Sequence, residues 1–223
     1  QALNLKASFY VPDYFQNRKL LDVNAIHYLL TKEEYIDKYL NFIKKYIKGS
    51  DLTKSFEEYL NSADLSSRFD RVEIVAFKKL LQFLLPERHR KNILNELLNK
   101  YCDYDMETLF EDFYCSKQQL NTMINAGMHV GGHGVRHYWL NQLSDKEQAY
   151  EIMGSIDFLK SLNLQKYYSF CYPFGGYNER SKQLLEENNF KFSFTTKTED
   201  YDLDREKRFE IPRFDTNDFY PMI

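Results

Sequence analysis

Gly127-Met128-His129-Val130-Gly131-Gly132-His133-Gly134-Val135-Arg136-His137 reads as a short strand, a double-glycine turn and then two histidines one helical turn apart. If the chain winds into a helix after Gly132, the 3.6-residue period sets the imidazoles of His133 and His137 side by side on one face. Two such nitrogens can grip a divalent metal. Zinc is the expected metal, taking these two ligands plus a carboxylate and keeping one position open for water. Alone, the pair also fits two turn histidines that happen to share a face. Gly131 and Gly132 weigh toward a site, because they let the backbone bend sharply and approach a ligand where the histidines begin.

Downstream, Ser144 with Glu147 forms a capping box, and the helix it starts runs to about Leu162 with Ile152, Ile156 and Leu159 on one side. Tyr168-Ser169-Phe170-Cys171 is a predicted strand, and Tyr172-Pro173-Phe174-Gly175-Gly176 a sharp turn after it. A helix from about Glu179 to Asn188, a strand at Phe190 to Thr195 and a last strand at Phe209-Glu210-Ile211 follow. Strands alternating with helices, each strand ending in a glycine-rich turn, predict a parallel α/β layout with the working loops at the strands' C-terminal ends.

Upstream, Lys6-Ala7-Ser8-Phe9-Tyr10-Val11 before Pro12 is a strand by its aromatic and β-branched content. Leu3-Asn4-Leu5 reads as the tail of a preceding helix and its turn, so the chain, which starts at Gln1, is expected to lack the beginning of its domain. Ser116 to Ala126 reads as the helix that leads into the histidine stretch. Between them, from about Asp13 to Leu120, the pattern is helical. Thr31 with Glu34 reads as a capping box ahead of a stripe at Ile36, Tyr39, Leu40, Ile43 and Ile47, ended by Gly49. Val72, Val75, Ala76, Leu80, Leu81 and Leu84 form a second stripe before Pro86, and Ile93, Leu94, Leu97 and Leu98 a third. With no linker or low-complexity segment at either side, residues 13–120 are predicted to be an insertion of about four to six helices between two strands of one domain covering 1–223.

A chain of 223 residues suits one sizeable domain. Its formal charge of -3 and lack of a basic block argue against nucleic acid as a partner and leave neutral substrates open. The 18 tyrosines and 18 phenylalanines suit a core of polar-tipped aromatics, with a sugar-stacking surface as a further use. Cys102, Cys115 and Cys171 have no paired spacing and are expected to be buried thiols. No apolar run approaches membrane-spanning length and no signal-peptide pattern is present.

Three of these stretches, in this order, resemble the polysaccharide deacetylase family, carbohydrate esterases built on a distorted (β/α) barrel. Lys6 to Pro12 looks like the family's second strand, "KATFFVP"; Gly131 to His137 is similar to its second motif; Cys171-Tyr172-Pro173-Phe174-Gly175 looks like the "YPFG" form of its third, and Phe190 to Thr196 like the strand that follows. The helical stretch, with Leu20-Leu21-Asp22-Val23 and Ile26-His27-Tyr28, and the closing Pro212-Arg213-Phe214-Asp215-Thr216-Asn217-Asp218 resemble a narrower subgroup associated with surface-polysaccharide and lipopolysaccharide biosynthesis.

The resemblance implies a metal-dependent hydrolase that removes an N-acetyl group from an amino sugar of a surface polysaccharide or its precursor. It implies His133 and His137 as metal ligands, the Phe174 N–H as a donor to the oxyanion, and Tyr172, Pro173 and Gly175 as the substrate-binding turn. The family's "TFDDG" motif, source of the third ligand and the general base, has no counterpart, so the first strand of the barrel is expected to be missing and neither role is assigned. Cys171 replaces the arginine that often begins the third motif, and Arg213 is a candidate to supply that charge, although a solvated or structural salt-bridge role is the reading favoured for it. No histidine follows His137 to serve as the family's late acid. Asp215 and Asp218 are expected to cap a turn, and His129 to support the site or the core. Cytoplasmic or membrane-associated action on a precursor follows from the subgroup, with any targeting signal upstream. The competing reading is a non-catalytic carbohydrate-binding or scaffolding member that has lost the acidic motif.

Overall fold

In the computed structural model, residues 5–14, 18, 20–67, 70–163, 165–202 and 207–219 are described. The expected helix tail at Leu3-Asn4 lies outside them. Two compact units emerge, one formed by residues 1–17 with 114–223 and the other by Arg18–Phe113. In sequence the second unit falls between the first two strands of the first.

The first unit carries a parallel sheet of β1 (Ser8–Val11), β2 (His129–Gly132), β3 (Ser169–Cys171) and β4 (Phe192–Phe194), in that order. Of the last strand predicted at Phe209–Ile211, one parallel bridge from Ile211 to Phe194 is formed. The helices on this unit are α7 (Lys117–Asn125), α8 (Asp145–Lys160) and α9 (Glu179–Glu187). Ser144 and Glu147 form the predicted capping box at α8. Ser116 with Gln119 caps α7 in the same way, and Asn178 with Ser181 caps α9. Ile152, Ile156 and Leu159 of α8 bury their stripe in a core with Val130, Phe170 and Leu184. Each such side chain contributes about 1.5–3 kcal/mol by leaving water.

Among its described residues the second unit carries helices and no strand: α1 (Asp22–Leu30), α2 (Ile36–Gly49), α3 (Phe56–Asn61), α4 (Val72–Lys79), α5 (Glu87–Tyr101) and α6 (Met106–Phe113). The α2 stripe is as predicted, with Ile36, Tyr39, Ile43 and Ile47 buried and Leu40 packed at the edge. The second stripe departs from a plain helix. It passes into a π-helical stretch at Leu80–Leu84, closed by the Leu85 N–H donating to Leu80 O at 3.2 Å, before Pro86 stops it. Val72 lies outside the buried stripe at 53 % exposure, because it opens α4.

The capping box predicted at Thr31 and Glu34 does not form. Thr31 has αR geometry and ends α1, its Oγ1 donating to Tyr28 O at 2.7 Å, whereas an N-cap needs extended backbone. Glu33–Tyr35 make a 3-10 turn instead, and α2 starts without a side-chain cap. Of the cysteines only Cys171 is buried; Cys102 is half-buried and Cys115 exposed. Among the described residues no helix is long and apolar enough to cross a membrane.

Candidate active site

Apart from Arg213, which follows the Ile211 bridge beside β4, the residues predicted to make the site lie where β2 and β3 end. The glycine pair acts differently from the expectation. Gly131 and Gly132 are part of β2, not of a turn. A Cβ on Gly131 would overlap the Tyr10 ring on one face of the sheet, and one on Gly132 would overlap Ser155 Oγ of α8 on the other. Both glycines admit close packing. The bend comes later, at Gly134, with φ of 78°.

No helical turn follows Gly132 either. Residues 133–139 are irregular, and His137 takes a left-handed φ of 59°. The histidines nevertheless meet, their ring centroids 4.6 Å apart at an interplanar angle of 81°. The pairing predicted from helical spacing is therefore achieved by a loop that reverses direction at Gly134 and His137.

His133 Nδ1 lies 2.5 Å from Cys171 O. A carbonyl can only accept, so Nδ1 carries the proton and Nε2 presents its lone pair, the arrangement found in histidines that bind metals. Burial, with the positive charge of Arg213 as a smaller cause, lowers the His133 pKa to about 4 against the pull of the Cys171 carbonyl. The imidazole is held neutral, as a ligand must be. Residual surface remains open at both His133 and His137.

The loop is held from below by a residue that sequence reasoning missed. Glu151 of α8 is fully buried; its Oε2 accepts from the Val135 N–H at 2.7 Å and the Arg136 N–H at 2.9 Å, and its Oε1 from Arg136 Nε at 2.6 Å. The available signal was positional, since Glu151, Ser155 and Leu159 form one i, i+4 row on the buried side of α8.

The turn after β3 faces the histidines through Phe174, whose ring centroid is 4.6 Å from that of His137 and 5.1 Å from that of Trp139, stacked on the latter at 10°. Phe174 has a φ of 55°. The turn's own hydrogen bonds run from the Gly175 N–H to Tyr172 O and from the Gly176 N–H to Pro173 O. At Gly175, φ is 73° and a side chain would overlap Thr196. Pro173 is buried. Tyr172 turns into the core, where its hydroxyl donates to Phe209 O at 3.0 Å and its ring stacks on Tyr177. Burial pushes its phenol pKa up.

Arg213 is exposed, with its Nε donating to Thr195 O at 2.9 Å. Its charge reaches His133 and Cys171, opposing in the latter the rise in pKa caused by burial. Asp215 and Asp218 hold a turn: the Asp215 N–H donates to Asp218 Oδ2 and the Asp218 N–H to Asp215 O. His129 supports the sheet, its Nε2 2.7 Å from Ser169 Oγ, which also meets Tyr10 Oη at 3.0 Å. Among the described residues no third histidine, cysteine or carboxylate joins His133 and His137 in a metal-sized cluster.

The sequence profile of the polysaccharide deacetylase family matches residues 83–193, a span that includes the histidine loop, Glu151 and the turn at Phe174. No curated protein matches the chain in sequence. Among solved structures, a Streptococcus pyogenes deacetylase, PplD, in complex with acetate is similar at 18% identity and a TM-score of 0.41, over 94% of this chain and 88% of that one. IcaB from Ammonifex degensii is similar at 19% identity and a TM-score of 0.33, over 70% of this chain and 76% of that one.

Proposed function

We propose that this chain is a metal-dependent deacetylase, built on the distorted (β/α) barrel of the polysaccharide deacetylases, that hydrolyses the N-acetyl group of an amino sugar in a surface polysaccharide or its lipopolysaccharide-type precursor. The observation that carries this reading is the neutral His133 whose Nε2 is freed by the Nδ1–H bond to Cys171 O, facing His137 inside the segment that matches the family. The two imidazole nitrogens suit part of the shell of a divalent cation, zinc in particular, and the third protein ligand such a cation needs is not found beside them among the described residues. Such a cation supplies Lewis acidity and a more acidic bound water.

The chain's own groups have separate tasks. His133 and His137 would hold the cation; the Phe174 N–H, which neither of the two hydrogen bonds closing its turn uses, would stabilise the oxyanion of the tetrahedral intermediate. Tyr172 and Pro173 act by fixing the turn, and Gly175 by letting it close against Thr196. Arg213 adds positive charge on the side of His133. Action on such a precursor would put the chain in the cytoplasm or at the membrane surface, where precursors are made.

Zinc calorimetry on the wild type and on a His133→Ala, His137→Ala double variant tests the reading, together with acetate release from N-acetylglucosamine oligomers by the chain and by an upstream-extended form. Binding that depends on the histidines, with acetate release lost in the double variant of the active form, is the expected result. Equal zinc binding by wild type and variant would sink the reading and favour the non-catalytic carbohydrate binder.

A further inference from the structure

The five residues from His133 to His137 have no helix or strand of their own to hold them. Two consecutive peptide N–H groups in their middle, those of Val135 and Arg136, converge on one oxygen of Glu151. Successive N–H groups aimed at a single anion form a nest, and here the anion is built into the fold. Gly134 closes over the same oxygen: a Cβ there would lie 2.9 Å from Glu151 Oε2. The second carboxylate oxygen holds Arg136 Nε, while the Arg136 guanidinium also lies 4.8 Å and 5.3 Å from the ring centroids of Tyr138 and Tyr150. These hydrogen bonds of the carboxylate all fall on the segment between the two histidines.

We infer that Glu151 is the positioning residue of the histidine pair: by fixing the Val135 and Arg136 amides it imposes the reversal that brings the two imidazoles together. Its functional meaning rests on the proposed metal role of His133 and His137, but the positioning itself does not. A purely structural ion pair would act through charge, and Glu151→Asp, which keeps the charge, would then be the mild change. Positioning acts through reach. Aspartate is one methylene too short to span from α8 to the loop amides, whereas Glu151→Gln keeps an oxygen at the same distance and leaves Arg136 its two aromatic rings. Helix α8 retains its capping box and its apolar stripe in either variant, so the fold has other supports.

The test is NMR on the histidine-labelled chain without metal, reading the cross-relaxation between the His133 and His137 rings, with zinc titration as the second arm. Circular dichroism confirms that each variant is folded. Loss of the inter-ring signal in Glu151→Asp and its retention in Glu151→Gln is expected, with zinc affinity falling about 10–100-fold in the aspartate variant alone. An intact inter-ring signal in folded Glu151→Asp would overturn the inference. If wild type binds no zinc, the metal reading fails and the inter-ring signal still decides the role of Glu151.

Discussion

The helical unit, Arg18–Phe113, and the unit that bears the histidines are both organised around apolar cores, yet they bury different polar groups. Among the described residues, the helical unit buries His89 and Arg90, whereas the other buries Gln148, Glu151, Ser169, Ser181 and Ser193 among its hydrogen-bonded polar side chains. Of the described non-glycine residues with left-handed backbone, Arg18 lies in the helical unit, while His137, Phe174 and Asn189 lie in the other. Two of those three, His137 and Phe174, belong to the candidate site. A core that needs only to cohere can be almost wholly apolar. One that must also hold a loop and a turn in less favourable conformations requires hydrogen-bonded polar groups beneath them, and strain gathers where they act.

The largest effect that would break this comparison comes from the cores. Phe77→Ala in the helical unit and Phe170→Ala behind the histidine loop each remove a fully buried ring and should cost about 3–5 kcal/mol. The single tryptophan, Trp139, lies in the histidine-bearing unit, so its fluorescence in urea follows that unit. Phe170→Ala is expected to move the Trp139 transition more than Phe77→Ala does. Equal displacement by both would mean that the units do not have separate stabilities.

A smaller effect sharpens the polar side of the contrast. Because the His133 pKa is lowered from 6.5 to about 4 in the folded protein, the unfolded chain binds more protons between those values. The stability contributed by the neutral imidazole is present above about pH 6.5 and is lost as the pH falls toward about 4. Its slope is at most about 1.4 kcal/mol per pH unit. His133→Ala should flatten the acid limb of a stability–pH curve by that difference; a superimposable limb would show that the imidazole is not buried neutral.

The smallest effect separates two identical sequence signatures. Ser144→Ala should cost about 1 kcal/mol, because its side chain caps α8, whereas Thr31→Ala should cost less than about 0.5 kcal/mol, because Thr31 is exposed and caps nothing at α2. Thermal denaturation of the two variants measures the difference, and equal losses would restore the capping box at Thr31.

Most of the helical unit is legible in the amino-acid sequence. The α2 stripe, the stop at Pro86 and the α5 stripe all follow from apolar spacing, because a helix writes its buried face into the chain every three or four residues. The parallel strands and the turn at Tyr172–Gly176 are legible too, from β-branched and aromatic content and from Pro-Gly punctuation. At the site, the sequence identifies the two histidines as neighbours, but for the wrong local reason: a loop, not a helical turn, joins His133 to His137.

By itself, then, the sequence determined the alternation of strands and helices, the apolar faces, and the histidines and turn that compose the candidate site. Tertiary structure alone decided that Gly131 and Gly132 serve close packing in the sheet, that His133 points its Nδ1–H at Cys171 O, and that Glu151 holds the loop. The reason lies in range. Periodicity is a local property, repeated along the chain, whereas the bond from His133 crosses 38 residues and that from Arg136 to Glu151 crosses 15, and a single contact at such separation leaves no repeating mark in the chain.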